Sequence, residues 1–368
     1  MLKDFLQRIL ALFGKKPIEG KNISRSREYE QSYENTDKVN FAAVFANALS
    51  NKTVNESTVD IVGADDKPNK RSEFINTAIH EVWTQANKIT SQAIGKGGKV
   101  IVPYISNGKA YFDIIDQSRL FISGIKGNRI YNATILADVQ KQNERLYFRW
   151  ADYTLKDGVH TIRNRATGES GNSIPLESIE AWTGIDEEIF IAGVDRLLFG
   201  FYKNVTDNRK DRDNYGVPIT YGSESIIKQI HSHLNLIERE YKLTRPMLGL
   251  DAAMWDNPRY GKTVQDKDTP FIPLENLSKD NANLWELYAP AIRDTAMYNR
   301  LVQLYEMLEK SVGTSKGILT EPITKNATAT EILQSQYDTF GVVSSLRERW
   351  KDVIEDLAYA YDVLAEHY

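Results

Sequence analysis

Gly95-Lys96-Gly97-Gly98-Lys99 brings two ammonium groups and three glycines together, the ingredients of a turn that wraps a phosphate. A P-loop needs G-x-x-x-x-G-K-[ST] between a strand and a helix. This run lacks that spacing and leads from a helical pattern into a strand pattern, the reverse order. It reads as a helix-ending turn. His80-Glu81 has the start of a zinc-peptidase motif without its second histidine. His231 and His233 stand two apart, so on a helix they diverge by about 200° and cannot chelate one metal. A solvated pair is the expectation. Asp211, Asp213 and Asn214 hint at a cation loop, but the glycine and distal glutamate of an EF-hand are missing.

With no cysteine and five histidines among 368 residues, nucleophilic and transition-metal chemistry have little to work with. Neither a catalytic residue, nor a cofactor, nor a metal site is expected. The absence of cysteine also excludes disulfides and fits a cytosolic origin. Hydrophobic residues at 41% and charged residues at 26% are those of an ordinary globular chain, long enough for two or three domains. A net charge of −4 with pI near 5.9 argues against a face that grips nucleic acid by neutralising phosphates, though not against a surface along which DNA slides. No run of about 20 apolar residues is present, so no membrane-spanning helix is expected.

The elements that would carry any site are strongly patterned. Leu2, Phe5, Leu6, Ile9, Leu10 and Phe13 share a face of an N-terminal helix that Gly14 can end. Asp4 spoils the basic region of a signal peptide and no cleavage site follows. Docking on a protein surface is favoured over a membrane interface. Lys16–Asn35 reads as an extended polar tether. Thr36 is a candidate cap for a short helix with Val39, Phe45 and Leu49. Ser72 is the candidate cap for a helix with Ile75, Ile79, Val82, Ala86, Ile89 and Ala93 on one face. Strand patterns follow at Val100–Ser106 and Lys109–Asp116, joined by the hairpin signal Asn107-Gly108. More lie at Leu120–Ser123, Ile130–Ala137, Leu146–Leu155 and His160–Arg163, with Asp157-Gly158 as a turn. This is an α+β region with an antiparallel sheet.

Beyond a buried-looking run, Leu197–Tyr202, the pattern turns helical. Ser223 is positioned to cap a helix carrying Ile226, Ile230, Leu234, Ile237 and Tyr241, stopped by Pro246 after about 23 residues, roughly 34 Å. Met247–Tyr288 is rich in Pro, Asn, Asp and Gly. A second helix of about 24 residues restarts with Pro290 in its first turn, carries Met297, Leu301, Leu304, Leu308 and Val312, and closes at Gly313. Two helices of matched length around an insertion predict an antiparallel pair with a module at its tip. Thr320–Ala327 is an exposed polar flank. Thr328-Ala329-Thr330-Glu331 is a capping box. From it Leu333, Tyr337, Phe340, Val343, Leu346, Trp350, Val353, Leu357, Tyr361 and Leu364 make one stripe of about 40 residues, roughly 60 Å, with a bend expected at Gly341.

This order of elements resembles the portal proteins of tailed bacteriophages, most closely those of siphophages of Gram-positive hosts. The resemblance covers nearly the whole chain. It rests on the Met1–Lys16 helix, on Gly97–Phe112, on Tyr215-Gly216-Val217 ahead of the Ser223 helix, and on Thr328-Ala329-Thr330-Glu331-Ile332. It implies an α+β fold with an N-terminal helical arm (1–71), a wing (72–222), stem helices (223–245 and 289–313), a clip (246–288), a tunnel loop (314–327) and a long spine helix (328–368). Relatives commonly continue into a crown, here expected to be minimal or absent.

The resemblance further implies a homo-oligomeric ring, usually of twelve subunits, at a capsid vertex of the virion. Double-stranded DNA passes through it without sequence specificity. The implied partners are the terminase large subunit, a head-tail adaptor, and the major capsid and scaffold proteins, with no membrane and no cofactor. On this reading Lys316, Thr320, Glu321, Pro322, Thr324, Lys325 and Asn326 approach the DNA, and Trp255, Tyr260, Phe271 and Trp285 of the clip meet partner proteins. Long apolar stripes without an equally long partner in the chain suit a ring in which neighbouring copies cover the remainder. Nineteen tyrosines and six tryptophans suit large interfaces, and scattered core aromatics account for them equally well. Two other classes compete: a non-enzymatic adaptor or membrane-peripheral scaffold anchored by the first helix, and a nucleic-acid enzyme with dispersed carboxylates.

Overall fold

A computed structural model describes residues 20–35, 38–55, 57–63, 68–127, 129–209, 214–244, 247–251, 271–274, 285–288, 291, 293–321 and 336–367. The protein is α+β, in two compact units. One contains Met1–Gly222 and Val312–Tyr368, the other Ser223–Ser311. The helix expected at Met1–Gly14, the Thr36 cap, the Thr328 capping box and Leu333 lie outside the described residues.

The larger unit is built on two antiparallel sheets. Strand β1 (Gly98–Ser106) turns at Asn107 and Gly108, with φ of 51° and 70°, into β2 (Lys109–Asp116). The Asn-Gly pair is there because both central residues of this tight turn need positive φ. The second sheet runs β3 (Leu120–Lys126), β4 (Arg129–Gln142), β5 (Arg145–Lys156), β6 (Val159–Gly168) and β7 (Ser173–Ile174), with β8 (Glu188–Ala192) also paired to β6. Asp157-Gly158 makes the β5–β6 turn, again at positive φ. Strand β9 (Gly200–Lys203) pairs with β1 only from Gly98 to Ile101. Pro103, which has no N–H to donate, comes just after that pairing ends.

Alternate residues of both sheets meet in one core: Val100 and Ile115 from the first, Leu120, Ile122, Ala133, Ile135, Ala151 and Tyr153 from the second, with Leu197, Phe199 and Tyr215 from the connection. The run Leu197–Tyr202 is buried as its composition suggests, Phe201 being only half-buried.

Four helices precede β1 or stand beside it: α1 (Gly20–Glu34), α2 (Phe41–Val54), α3 (Lys70–Thr84) and α4 (Ala86–Lys96). Three expectations are corrected here. Gly20–Glu34 is a helix, not an extended tether, because it finds polar partners: Ser26 on Gln117, Glu30 on Ser118, Tyr33 on Ser91 and Glu34 on Lys96. Asn69, not Ser72, caps α3; Ser72 is the third residue of the helix and completes the capping box by bonding back to the Asn69 backbone. The helix expected to run through Ala93 breaks at Gln85 into α3 and α4. Asn40 caps α2, accepting from the Ala43 N–H, and Val39 ahead of it is exposed.

The last helix of the unit, α7 (Tyr337–His367), has 31 described residues, about 46 Å at the standard rise. It continues as one element through Gly341. Val343, Leu346, Trp350, Val353, Leu357, Tyr361 and Leu364 are all buried, whereas Tyr337 and Phe340 are exposed. The stripe is covered by the protein's own α2, α3, β1 and β9. The expectation that sibling copies must cover it therefore fails. Trp350 is the centre of this packing: its Nε1 donates to Thr90 Oγ1 at 2.7 Å, and its ring lies 4.7 Å from Tyr202 and 5.3 Å from Trp83. Gly200 lets α7 approach β9, since a Cβ there would meet Val353 and Leu357 at 3.0 and 3.1 Å.

His160 on β6 is fully buried and stacked on Tyr153, and neither ring nitrogen has a hydrogen-bond partner among the described residues. Burial pushes its pKa down to about 4. The unfolded chain takes up that proton near pH 6.5, so the stabilisation is complete above pH 6.5 and lost as pH falls towards 4. About 3 kcal/mol is at stake. Thermal melts between pH 7 and 4 are expected to show this loss, and His160→Leu to flatten that part of the profile; an unchanged profile would mean that the ring is protonated or solvated in the native state.

Candidate functional site

The smaller unit is a helical hairpin with a β module between its arms. Helices α5 (Glu224–Leu243, 20 residues) and α6 (Asp294–Val312, 19 residues) are shorter than expected but matched. They run antiparallel: Ser223 bonds Ser311, His233 bonds the Met297 carbonyl and Glu240 bonds Arg293, one number rising as the other falls. Ile230 and Ile237 of α5, and Met297, Leu301, Leu304 and Leu308 of α6, are the buried members of the two stripes.

Three local expectations are corrected. Ser223 stands at the start of α5, but its hydroxyl pairs with Ser311 at 2.8 Å and makes no cap. His233 is not a solvated partner of His231, because Met297 O engages its Nε2 at 2.8 Å. Helix α6 begins at Asp294, not at Pro290, which with Pro246 lies outside the described residues. Gly313, at φ +80°, ends it as anticipated.

Between the helices, β10 (Met247–Asp251) pairs parallel with β11 (Phe271–Leu274) and antiparallel with β12 (Trp285–Tyr288). The insertion thus has a sheet of its own. Phe271 and Trp285 are on strands of this sheet; Trp255 and Tyr260 lie outside the described residues.

The exposed residues of the hairpin are mostly polar, with large apolar side chains among them. Leu236, Tyr241, Tyr298, Val302 and Met307 account for five of the fourteen large hydrophobic side chains exposed among the described residues. Tyr298 bonds the Tyr241 hydroxyl and holds its proton on more tightly than usual. Glu240 and Arg293 form a bidentate pair at 2.9 Å, which keeps the Glu240 carboxyl below its ordinary range. Along another side, Lys228, Ser232, His233, Leu236 and Arg300 line a shallow groove.

In the larger unit, the segment following the hairpin is tied at its base. Ser315 N donates to Thr339 Oγ1 at 2.9 Å and Thr339 N donates to Ser315 Oγ at 3.3 Å, with both residues buried. Two residues 24 apart in the chain are thereby held side by side. Lys316 and Glu321 are exposed and Thr320 is half-buried. Pro322, Thr324, Lys325 and Asn326 lie outside the described residues.

No model of a known protein family matches this sequence, and no curated protein matches it either.

The glycine-rich turn proves to be architecture. Lys96 Nζ bonds Glu34 at 2.6 Å and Lys99 pairs with Asp116, so both ammonium groups are engaged. Burial pulls both lysines down; for Lys99 it prevails, whereas for Lys96 the bond to Glu34 and the charge of Asp116 reverse it. Gly97 (φ +111°) lies against Gly216, whose Cβ, were there one, would sit 1.8 Å from Gly97 O. Gln117 holds Gly216 from both sides, accepting from its N–H at 2.8 Å and donating to its carbonyl at 3.0 Å. Among the described residues no cluster of His, Asp or Glu is placed to hold a metal ion. His80 is 3.6 Å from Asp60, and Asp211 and Asp213 lie outside the described residues.

Residues 149 and 164 were invisible as a pair in the sequence, yet Arg149 donates to Asn164 at 3.2 Å within the space between the sheets. The signal was there: a cation at the inward parity of β5, in step with Ala151 and Tyr153.

Ser315→Ala and Thr339→Val, each of which leaves one buried backbone N–H without its acceptor, are each expected to cost about 1 kcal/mol or more in the unfolding of the larger unit. No loss from either variant would mean that the base of the segment is not tied through these bonds.

Proposed function

We propose that the protein is a ring-forming portal subunit, a passive conduit for double-stranded DNA at a viral capsid vertex. The observation that carries this reading is the helical hairpin. It is a compact unit with its own β module between the arms, and five large apolar side chains remain exposed on its two helices. Exposed apolar side chains, where they adjoin, mark association surfaces. Copies packed side by side around an axis would bury them, with the hairpins as the wall of a channel.

Three further features fit. On this reading the module of β10, β11 and β12 would be the clip that meets the packaging motor and later the adaptor. The segment after the hairpin, tied at Ser315 and Thr339 and carrying Lys316, Thr320 and Glu321, is suited to hang into the channel. The net charge of −4 suits a lumen that must not hold its cargo. Catalysis has no part in this proposal.

The purified full-length protein is expected to assemble into particles several times the monomer mass of 41.9 kDa, alone or with scaffold, by light scattering or native mass spectrometry. A monomer under every assembly condition would overturn the reading. Leu236→Glu with Val302→Glu is expected to block assembly while leaving the melting temperature of the monomer within a few degrees. Deleting Thr320–Lys325 is expected to leave assembly intact and to abolish DNA packaging or retention. Normal packaging by that variant would remove the role given to this segment.

A further inference from the structure

Beside their shared core, the two sheets of the larger unit leave a cleft of about 490 Å³, within the range of small-molecule pockets. Its wall is aliphatic, with Ile115, Ile135, Ile162, Ile189, Ile191 and Leu364 reaching it. One cation interrupts that wall. Arg149 projects from the inward side of β5 and uses one of its five N–H donors, NH1 to Asn164 Oδ1 at 3.2 Å. Asn164 is more than nine-tenths buried and is itself fixed by its Nδ2, which donates to the Asp186 carbonyl at 2.9 Å. No carboxylate of the described residues comes within ion-pair distance of Arg149, and its Nε has no acceptor.

A half-buried guanidinium held in place by a buried amide, with Asp113 and Asp138 within electrostatic reach but no carboxylate in contact, keeps donors that an anion can take. Asp113 sets the charge of that anion. It lines the same cleft, burial raises its carboxyl above the ordinary range, and the Arg149 charge only partly offsets this. With Asp113 and Asp186 both on its wall beside the one cation, the cleft has room for no more than a single added negative charge and repels a phosphate dianion. Tyr104, partly exposed and stacked on Tyr111 at 5.6 Å, flanks the opening.

We propose that this cleft binds a monocarboxylate bearing an aliphatic chain. The carboxylate takes the free donors of Arg149, and the chain lies along the isoleucines. A free acid and the C-terminal carboxylate of a peptide ending in aliphatic residues present the same chemistry. The proposal does not depend on the protein forming a ring.

The test is calorimetric titration of the full-length protein with octanoate, butanoate, 1-octanol, and a leucine-terminated hexapeptide as free acid or C-terminal amide. Octanoate is expected to bind saturably. 1-Octanol, which lacks the charge, should bind about tenfold more weakly or worse. Butanoate should be weaker by roughly fourfold for each methylene lost from the wall. Arg149→Gln is expected to cost about tenfold or more for octanoate and little for 1-octanol. Ile162→Trp, which fills the cleft with Arg149 intact, is an independent variant expected to abolish binding of both. Displacement of octanoate by the free-acid peptide but not the amide would identify a chain terminus as the source; displacement by neither would identify a small acid. No saturable octanoate binding to the folded protein, or equal affinity of the wild type and Arg149→Gln, would overturn the proposal.

Discussion

A helix of more than eight turns lying across a sheet only three strands wide governs the arrangement of the larger unit. Helix α7 reaches α2, α3, β1 and β9 at once, so segments distant in the chain must each present a surface to one rod. Each conforms in its own way. Strand β9 gives up a side chain at Gly200, and β1 beyond Ile101 accepts a proline. Trp350 is wedged between Tyr202, Trp83 and the Thr90 hydroxyl. Polar groups fix how α7 is turned about its own axis: Tyr202 donates to the Leu346 carbonyl, Tyr361 to the Tyr111 carbonyl, and Arg347 to the carbonyls of Lys52 and Thr53. Burial of the stripe supplies the energy, and these directional bonds specify the register.

A different physics holds the strand β1 end of the same unit. There the backbones of Gly97 and Gly216 touch, which only glycine permits at both positions. The surrounding polar groups are satisfied nearly one by one: Gln117 on Gly216, Asn204 on the Val217 carbonyl, Asn208 on the Tyr215 carbonyl and the Tyr215 hydroxyl on the Ile122 N–H. Helix α1 joins this network with side chains that are almost all polar. It is attached by ion pairs and hydrogen bonds, where α7 is attached by apolar contact.

The contrast explains what could be read from the sequence. Strands β1 to β6 and their two tight turns were legible, since Asn107-Gly108 and Asp157-Gly158 force positive φ locally and alternation marks the faces. So were the stripes of α5, α6 and α7, whose periodicity is written within each helix, except at Tyr241, Tyr337 and Phe340, which are exposed. Helix α1 was not, because a polar helix has no stripe and depends on partners some 60 to 90 residues away, among them Lys96 and Gln117. The break at Gln85 was hidden by apolar residues that keep helical spacing on both sides of it. Coverage of α7 by its own chain was equally out of reach, since periodicity reveals that a face is buried but not what buries it. For the candidate site, the hairpin and its matched arms were legible while the sheet in its tip module was not: loop-rich composition conceals short strands whose pairing is non-local, such as the parallel match of β10 with β11.

Ser315 and Thr339 form a clasp that holds together two residues 24 apart in the chain. Lengthening the excursion adds only the logarithmic entropy of a larger loop, about 0.6 kcal/mol per doubling. On loop entropy alone, the length of the stretch between Ser315 and Thr339 costs the fold little, which makes it a natural place to splice in a reporter peptide.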